Sequence, residues 1–321
     1  MQSGKRIFLL LGILWAIGYA QSIEFERAVA RVDSLFKTYR YSAAQVIVDS
    51  LLRSHPEHPR VLIQAAILEL SRFQPDPAIA YLEKAMKQDP QNAEVYFRLG
   101  NAYSIKINQG GFFSKMKSAR KMKEYWEKAL EKDPNYVDAM VALYNYYQMA
   151  PSIAGGDKEK AAELLTRIRQ LAPEYEYYLL ATQYHREKND ERAVEMLQRS
   201  IQTYPEFKPA YLTLAYIWIQ KEKLDEAEKL LTQLLALDPQ NIHALDELGE
   251  IYLQREDYAA ACYHFRKALD IHPYYVQARY HLGMCLKRKG DVEEARKTFQ
   301  FILDHFPKHP LAKRAKTELK N

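Results

Sequence analysis

The sequence predicts an all-α protein, a solenoid of antiparallel helix pairs, and three observations point there. Prolines recur at a step of 34 residues, at Pro205, Pro239, Pro273 and Pro307, and Pro56 and Pro90 share the step upstream. Two amphipathic helical patterns precede each proline, with no alternating strand pattern competing. Only two cysteines occur in 321 residues, so a disulfide framework is excluded and the core must be held by packing.

Taken in chain order, the first element is a leader. Lys5 and Arg6 precede an uncharged run over residues 7–20 that ends in Gly18-Tyr19-Ala20, the layout of a secretory signal peptide with small residues at the cleavage site. The run is shorter than the roughly 20 residues of a spanning helix. Residues 1–20 are therefore expected to be removed, leaving a mature chain from Gln21 with no stable membrane span, in the periplasm or outside the cell. No cysteine stands near the site for lipid attachment. Losing Lys5 and Arg6 takes the formal charge from +5 to 5 − 2 = +3, nearly neutral for this length, and no nucleic-acid partner is expected.

Residues 242–275 show the repeating unit most cleanly. Leu245, Leu248, Gly249 and Tyr252 form the apolar stripe of a first helix, Arg255-Glu256-Asp257 a polar turn, and Ala261, Phe265, Ala268 and Leu269 the stripe of a second helix. Pro273 stops the second helix, because proline lacks the N–H and clashes with the preceding turn. The set returns as Leu214, Ala215, Ala227, Leu231 and Pro239, as Leu282, Gly283, Ala295, Phe299 and Pro307, and more loosely as Leu180, Ala181, Ala193, Leu197 and Pro205. Upstream, Ala65, Ala66, Ala78, Leu82, Ala85 and Pro90 fit, and residues 25–58 fit through Ala44, Val48, Leu51 and Pro56.

This pattern resembles the tetratricopeptide repeat, over eight units at 25–58, 59–92, 93–136, 137–173, 174–207, 208–241, 242–275 and 276–309. Residues 310–321 read as a polar capping helix. The resemblance implies a right-handed superhelix in which each unit buries its apolar face against its neighbours, and a protein or peptide partner rather than a substrate. It also implies that the first helices line a concave inner face. Carried onto this chain, that row runs through Phe97, Asn101, Val141, Asn145, Tyr178, Thr182, His185, Leu212 and Tyr216, with Arg98 beside it. Asn101 and Asn145 hold the same place in neighbouring units and are expected to project side by side, each amide offering a donor and an acceptor to an extended peptide. Further along, Asp246 and Glu250 make the face acidic.

Two units carry insertions. The first lies within residues 105–122, the second within 150–161 (APSIAGGDKEKA), each in the turn of its hairpin and each with a glycine pair, Gly110-Gly111 and Gly155-Gly156. These segments are similar to GG-F-F-S-K and A-P-x-x-x-G-G-D segments of other exported bacterial repeat proteins of unassigned function, which implies a module but no chemistry. Ser114 and Asp157 are expected as N-caps. One reading makes the pair an anion or partner site with Lys115, Lys117, Arg120, Lys121 and Lys123. The other, favoured because no GxxxxGK[ST] spacing occurs, packs Phe112, Phe113 and Ile153 on one another.

The chain has no HExxH, GxSxG, CxxC or dinucleotide fingerprint, so no catalytic residue, metal or cofactor is expected. His305 and His309 have helical metal spacing, but Pro307 separates them. Tyr103, Tyr147, Tyr184 and Tyr252 belong to the packing stripe. Tyr136, Tyr175, Tyr178, Tyr216, Tyr275 and Tyr280 fall off it and are candidates for an exposed aromatic surface, which keeps a cell-wall or carbohydrate-binding protein as the second reading and a hydrolase under the two loops as a third. Cys262 and Cys285 lie eleven before and twelve after Pro273 on adjacent antiparallel helices. They are expected to face each other, either as a disulfide or as two buried thiols.

Overall fold

The computed structural model describes residues 2–320, with side chains from Tyr19 onward. Among the described residues every regular element is helical: seventeen α-helices and one 3-10 turn, Ser152–Ala154. The first repeats are built from α1 (Gln2–Lys37), α2 (Tyr41–Ser54), α3 (Pro59–Ser71), α4 (Pro75–Gln88), α5 (Ala93–Ile107) and α6 (Phe112–Lys132). The middle holds α7 (Val137–Met149), α8 (Lys158–Leu171), α9 (Glu174–Arg186), α10 (Asp190–Thr203), α11 (Lys208–Gln220) and α12 (Leu224–Leu237). The last are α13 (Ile242–Gln254), α14 (Tyr258–Ile271), α15 (Val276–Lys289), α16 (Val292–His305) and α17 (Pro310–Glu318). Each odd helix packs on the even helix after it, and each even helix packs on the first helix of the next pair, the nearest-neighbour pattern of a solenoid. The final helix buries Ala312 and Ala315 against the preceding pair as a cap.

Two differences from the sequence reading appear at the first repeat and the first insertion. α1 runs unbroken from Gln2, because nothing between the leader and Lys37 breaks a helix; the side chains of residues 1–18 lie outside the described residues. The first insertion is not a loop. α6 has 21 residues where α4, α8 and α10 have 14, since the segment after Gly111 is rich in helix formers and free of proline. Gly111, not Ser114, is its N-cap.

Inside each hairpin the first helix comes close enough that one position on it is set by its partner. A Cβ on Gly249 would sit 2.3 Å from the Phe265 ring, one on Gly283 2.5 Å from Phe299, and one on Gly100 2.3 Å from Trp126. At the equivalent pairs Ala66 and Leu82, Ala181 and Leu197, and Ala215 and Leu231, the facing residue is Leu and an alanine fits, all six being buried. In these six hairpins glycine stands where the second helix contributes a ring and alanine where it contributes a leucine, whereas the fourth hairpin places the fully buried Tyr144 at that position. Close packing of this kind holds each hairpin in one geometry.

The hairpin turns follow one device. Tyr39, Phe73, Lys188, Glu222 and Glu256 have φ between 57° and 62°, and Gly290 has φ 96° at the same place. The next residue in each case donates its N–H to the carbonyl five positions back, as from Arg40 to Leu35 and from Gln74 to Glu69, both at 2.9 Å, closing the helix in a Schellman turn. A left-handed aromatic residue costs about 1–2 kcal/mol, and two of these turns carry one.

Those two aromatic side chains reach the far end of the chain. Tyr39 lies edge-on to His243 with ring centroids 5.6 Å apart, and Phe73 edge-on to His309 at 4.4 Å. Tyr41 packs on His272 at 4.7 Å, and the Arg72 guanidinium lies 5.3 Å from the Tyr274 ring. The hairpin-turn edge of the first two repeats therefore touches the inter-repeat edge of the last three, so the two ends of the superhelix are in contact.

Candidate functional site

The inner helices carry rings that pair with rings at the far end of their own repeat and, at His185 and Tyr216, with the next repeat. Phe97 of α5 is buried and meets Tyr136 edge-on at 5.3 Å. On α9, Tyr175 and Tyr178 both pack on Phe207, at 4.9 and 5.7 Å. Tyr216 of α11 is 46% exposed and faces the His185 ring at 6.4 Å. Polar groups lie between the rings. Arg98 pairs with Glu94 at 3.1 Å, and the Thr182 hydroxyl donates to the Leu179 carbonyl at 2.8 Å. His185 Nδ1 lies 2.8 Å from Asp190, which also meets Lys221 at 3.0 Å. Hydrogen bonds from Lys221 and then His185 hold the Asp190 carboxyl below its usual range.

The two asparagines are engaged differently. Trp126 donates its indole N–H to Asn101 Oδ1 at 3.0 Å, which ties that amide to its own hairpin. Asn145 donates to the Val141 carbonyl at 3.0 Å and accepts from Arg186 at 3.4 Å, one repeat further on. Both acceptors are thus occupied by protein donors. The repeat pattern places Trp126 on the second helix of its hairpin but does not display its bond to Asn101 or that of Arg186 to Asn145, because each partner lies on a different helix from the asparagine it meets.

The acidic part of the row is folded inward. Asp246 is 4% exposed and receives His281 Nδ1 at 2.9 Å, with Glu250 3.5 Å from the same nitrogen. Tyr275 donates to His243 Nδ1 or to Asp246, its oxygen lying 3.0 and 3.4 Å from them. Burial, then Asp246 and Glu250, pushes the Glu247 carboxyl up to about 7. His281 is held above its ordinary value: burial opposes the charge, but the Asp246 hydrogen bond and the three carboxylates outweigh it. The Tyr39 ring closes over His243 at the rim of this cluster.

The expected aromatic surface is much smaller than the tyrosine count suggests. Tyr280 is buried, and Tyr136, Tyr175, Tyr178 and Tyr275 are half-buried against other rings, which leaves Tyr216 as the exposed one of the six. Tyr136 packs on Phe97, Tyr175 and Tyr178 on Phe207, Tyr275 on His243, Tyr280 on Phe299 and Tyr216 on His185, pairings between separate helices and turns that the repeat spacing does not display. The histidines near prolines are packing groups: His305 stacks on Phe301 at 3.9 Å, and His309 accepts the Leu311 N–H as the N-cap of α17.

At the insertions, the packing expectation is overturned. Phe112, Phe113 and Ile153 are 72%, 84% and 99% exposed. The reason is the lengthening of α6, whose first turns extend past the neighbouring second helices and find nothing to pack on. Gly110 lies under Ser114, whereas Gly111 has open space around it. The second insertion is a tight turn in which Gly155 is left-handed, with φ 87°, and a Cβ on Gly156 would collide with the Ala150 carbonyl. Asp157 caps α8 by accepting from the Glu159 and Lys160 N–H groups, both at 3.1 Å. Lys115 and Lys117 are exposed at the free end of α6. Cys262 and Cys285 face each other with Cα atoms 6.0 Å apart, within the range a disulfide spans.

Two family models described as tetratricopeptide repeat match the chain, one over residues 185–248 and 252–319, the other over 81–116. The TPR repeat-containing protein YpiA of Bacillus subtilis is 26% identical over 187 residues, 57% of this chain and 42% of its own length. Superkiller complex protein 3 of Homo sapiens is 23% identical over 267 residues, 82% of this chain and 16% of its own. The chain spans less than half the length of either relative. Among solved structures, yeast Tom70 superposes with a TM-score of 0.56 at 17% identity, over 87% of this chain and 59% of Tom70. That likeness is one of fold.

Proposed function

We propose that this chain, which belongs to the tetratricopeptide-repeat family, is an exported scaffold that holds a peptide segment or protein partner on its concave face. The observation that carries the reading is the run of ring sets from α5 to α11, Phe97 with Tyr136, Tyr178 with Phe207, and His185 with Tyr216, interleaved with Arg98, Asn145 and Thr182. Phe97 is buried and backs the run, while the partly exposed Tyr136, Tyr178, Phe207 and Tyr216 offer contact area at little cost in side-chain freedom, with polar groups between them to fix the register of a bound chain. The Asp246 cluster lies beyond this run, closed by its own hydrogen bonds, so the binding stretch centres on the middle repeats. Export rests on Lys5, Arg6 and the apolar run after them.

A photo-crosslinking residue placed at position 216 tests the site, with one at Tyr263 on the outer helix α14 as the control. A polypeptide captured from 216 and not from 263 supports the concave face. Capture from 263 alone moves the site elsewhere. N-terminal sequencing of the exported protein is expected to begin at Gln21, and a sequence beginning at Met1 removes the export half of the reading.

A further inference from the structure

The residues that the concave-face reading leaves unused are those at the free end of α6. Its 21 residues exceed the 14 of α4 and α8 on either side by seven, an overhang of about 10 Å at 1.5 Å per residue. Residues 110–123 contain five basic side chains, Lys115, Lys117, Arg120, Lys121 and Lys123, and no acidic one. Lys121 is committed to the Tyr103 hydroxyl at 3.0 Å, and Lys123 lies 3.5 Å from Glu127. Lys115, Lys117 and Arg120 have no carboxylate within 4.0 Å among the described residues, and all three are exposed.

Apolar side chains stand among these charges. Besides Phe112, Phe113 and Ile153, Met116 is 57% and Met149 66% exposed. The two phenylalanine rings meet edge-on at 5.6 Å. Ile153 is not on a loose loop. The Ala154 N–H donates to the Pro151 carbonyl at 2.8 Å, Gly155 to Ser152 at 2.9 Å, Gly156 to Pro151 at 3.1 Å and Asp157 to Tyr147 at 3.0 Å. The Tyr146 hydroxyl donates to the Ala154 carbonyl. This turn holds Ile153 out into solvent beside α6, and Met116, Ala119 and Arg120 face Tyr146 and Ile153 across a shallow groove of about 510 Å³.

We propose that the overhang of α6 and the Pro151–Asp157 turn form a docking surface for an anionic phospholipid bilayer, with Phe112, Phe113 and Ile153 entering the interface and Lys115, Lys117 and Arg120 on the headgroups. Protruding aromatic and aliphatic groups beside unpaired cations, on an ordered support whose overhanging segment carries no acidic residue, have the composition of an interfacial membrane helix. A partner peptide is the less suitable occupant, because the exposed Phe112 and Phe113 rings lie outside the groove and only Ile153 and Met116 of the exposed apolar groups line it.

Vesicle co-sedimentation of the full chain tests this, since any pull from the leader is common to every variant. Equal mixtures of phosphatidylglycerol and phosphatidylcholine are compared with phosphatidylcholine alone. The parent is expected to favour the anionic vesicles and to lose binding as ionic strength rises from about 0.05 to about 0.5 M. Two variants, Phe112→Ser/Phe113→Ser/Ile153→Ser and Lys115→Glu/Lys117→Glu/Arg120→Glu, are each expected to reduce anionic binding about tenfold or more with unchanged helical content. In a Phe113→Trp variant, brominated phosphatidylglycerol is expected to quench the added fluorescence. Equal partitioning of parent and both variants, or no quenching at position 113, overturns the proposal. So does capture of a synthetic acidic amphipathic peptide by a parent that ignores the vesicles.

Discussion

Tyr39 meets His243 edge-on at 5.6 Å, although the two are 243 − 39 = 204 residues apart. Six repeats of right-handed winding bring them together, and the contact is made by a residue held in the left-handed region, with φ 57°. Phe73, with φ 60°, repeats the arrangement one unit later against His309. Backbone strain at two turns thus stands beside a contact between the two ends of the solenoid.

Glycine at both positions separates the two effects. Tyr39→Gly/Phe73→Gly keeps turns that Gly290 already makes with glycine, relieves about 1–2 kcal/mol of backbone strain at each, and removes ring contacts of about 0.5–1.5 kcal/mol each. The melting temperature is expected to change little while the radius of gyration in X-ray scattering rises. An unchanged scattering curve would show that the end contact does not set the curvature.

The same contact has a pH dependence. Burial, reinforced by His243 and Arg72, lowers His272 from 6.5 to about 4, and burial lowers His309 to about 4. A histidine whose folded value is depressed gives stability that is complete above about 6.5 and is lost as pH falls toward about 4. For the buried His272 the loss is on the order of 3 kcal/mol at 1.36 kcal/mol per unit. Glu247, raised to about 7, has the opposite sign: its contribution is present at acid pH and lost as pH rises through 7. Amide exchange at the α1–α2 and α3–α4 turns is therefore expected to quicken between pH 6.5 and 4.5, and His272→Phe to remove most of the change at α1–α2. Equal pH dependence in that variant would assign the effect elsewhere.

Packing of Gly249 on Phe265 is testable by a double-mutant cycle. Gly249→Ala forces a methyl to within 2.3 Å of the ring and is expected to cost about 1–3 kcal/mol as overpacking. In the Phe265→Leu background the same change is expected to be near neutral, because Ala215 on Leu231 is the arrangement already used two hairpin helices earlier. Additive losses in urea denaturation would contradict the ring-for-glycine rule.

A disulfide between Cys262 and Cys285 would close a segment of 23 residues, worth roughly 3 kcal/mol in the chain-entropy account. Oxidised protein is expected to show no alkylatable thiol by intact mass, and reduction to lower the melting temperature. Two thiols reacting without reductant would leave the pair as core cysteines.

The sequence by itself determined the helix pairs, because a 34-residue proline step and apolar stripes are local signals that each repeat restates. It also carried the facing of Cys262 and Cys285, since the two lie at matched distances from one proline on adjacent helices. The tertiary structure decided what happens between repeats that are far apart or unequal. Asn101 and Asn145 share a register position, yet one bonds Trp126 and the other Arg186, because their neighbours differ. Phe112 and Phe113 looked like packing residues because they are apolar, but the helix they begin outruns its neighbours and leaves them in solvent. Tyr39 and Phe73 mark the same turn as Lys188 and Glu222, a spacing readable in sequence. That their rings land on His243 and His309 depends on the small rotation added at every repeat, and a sum of such rotations is a property of the whole solenoid rather than of any segment.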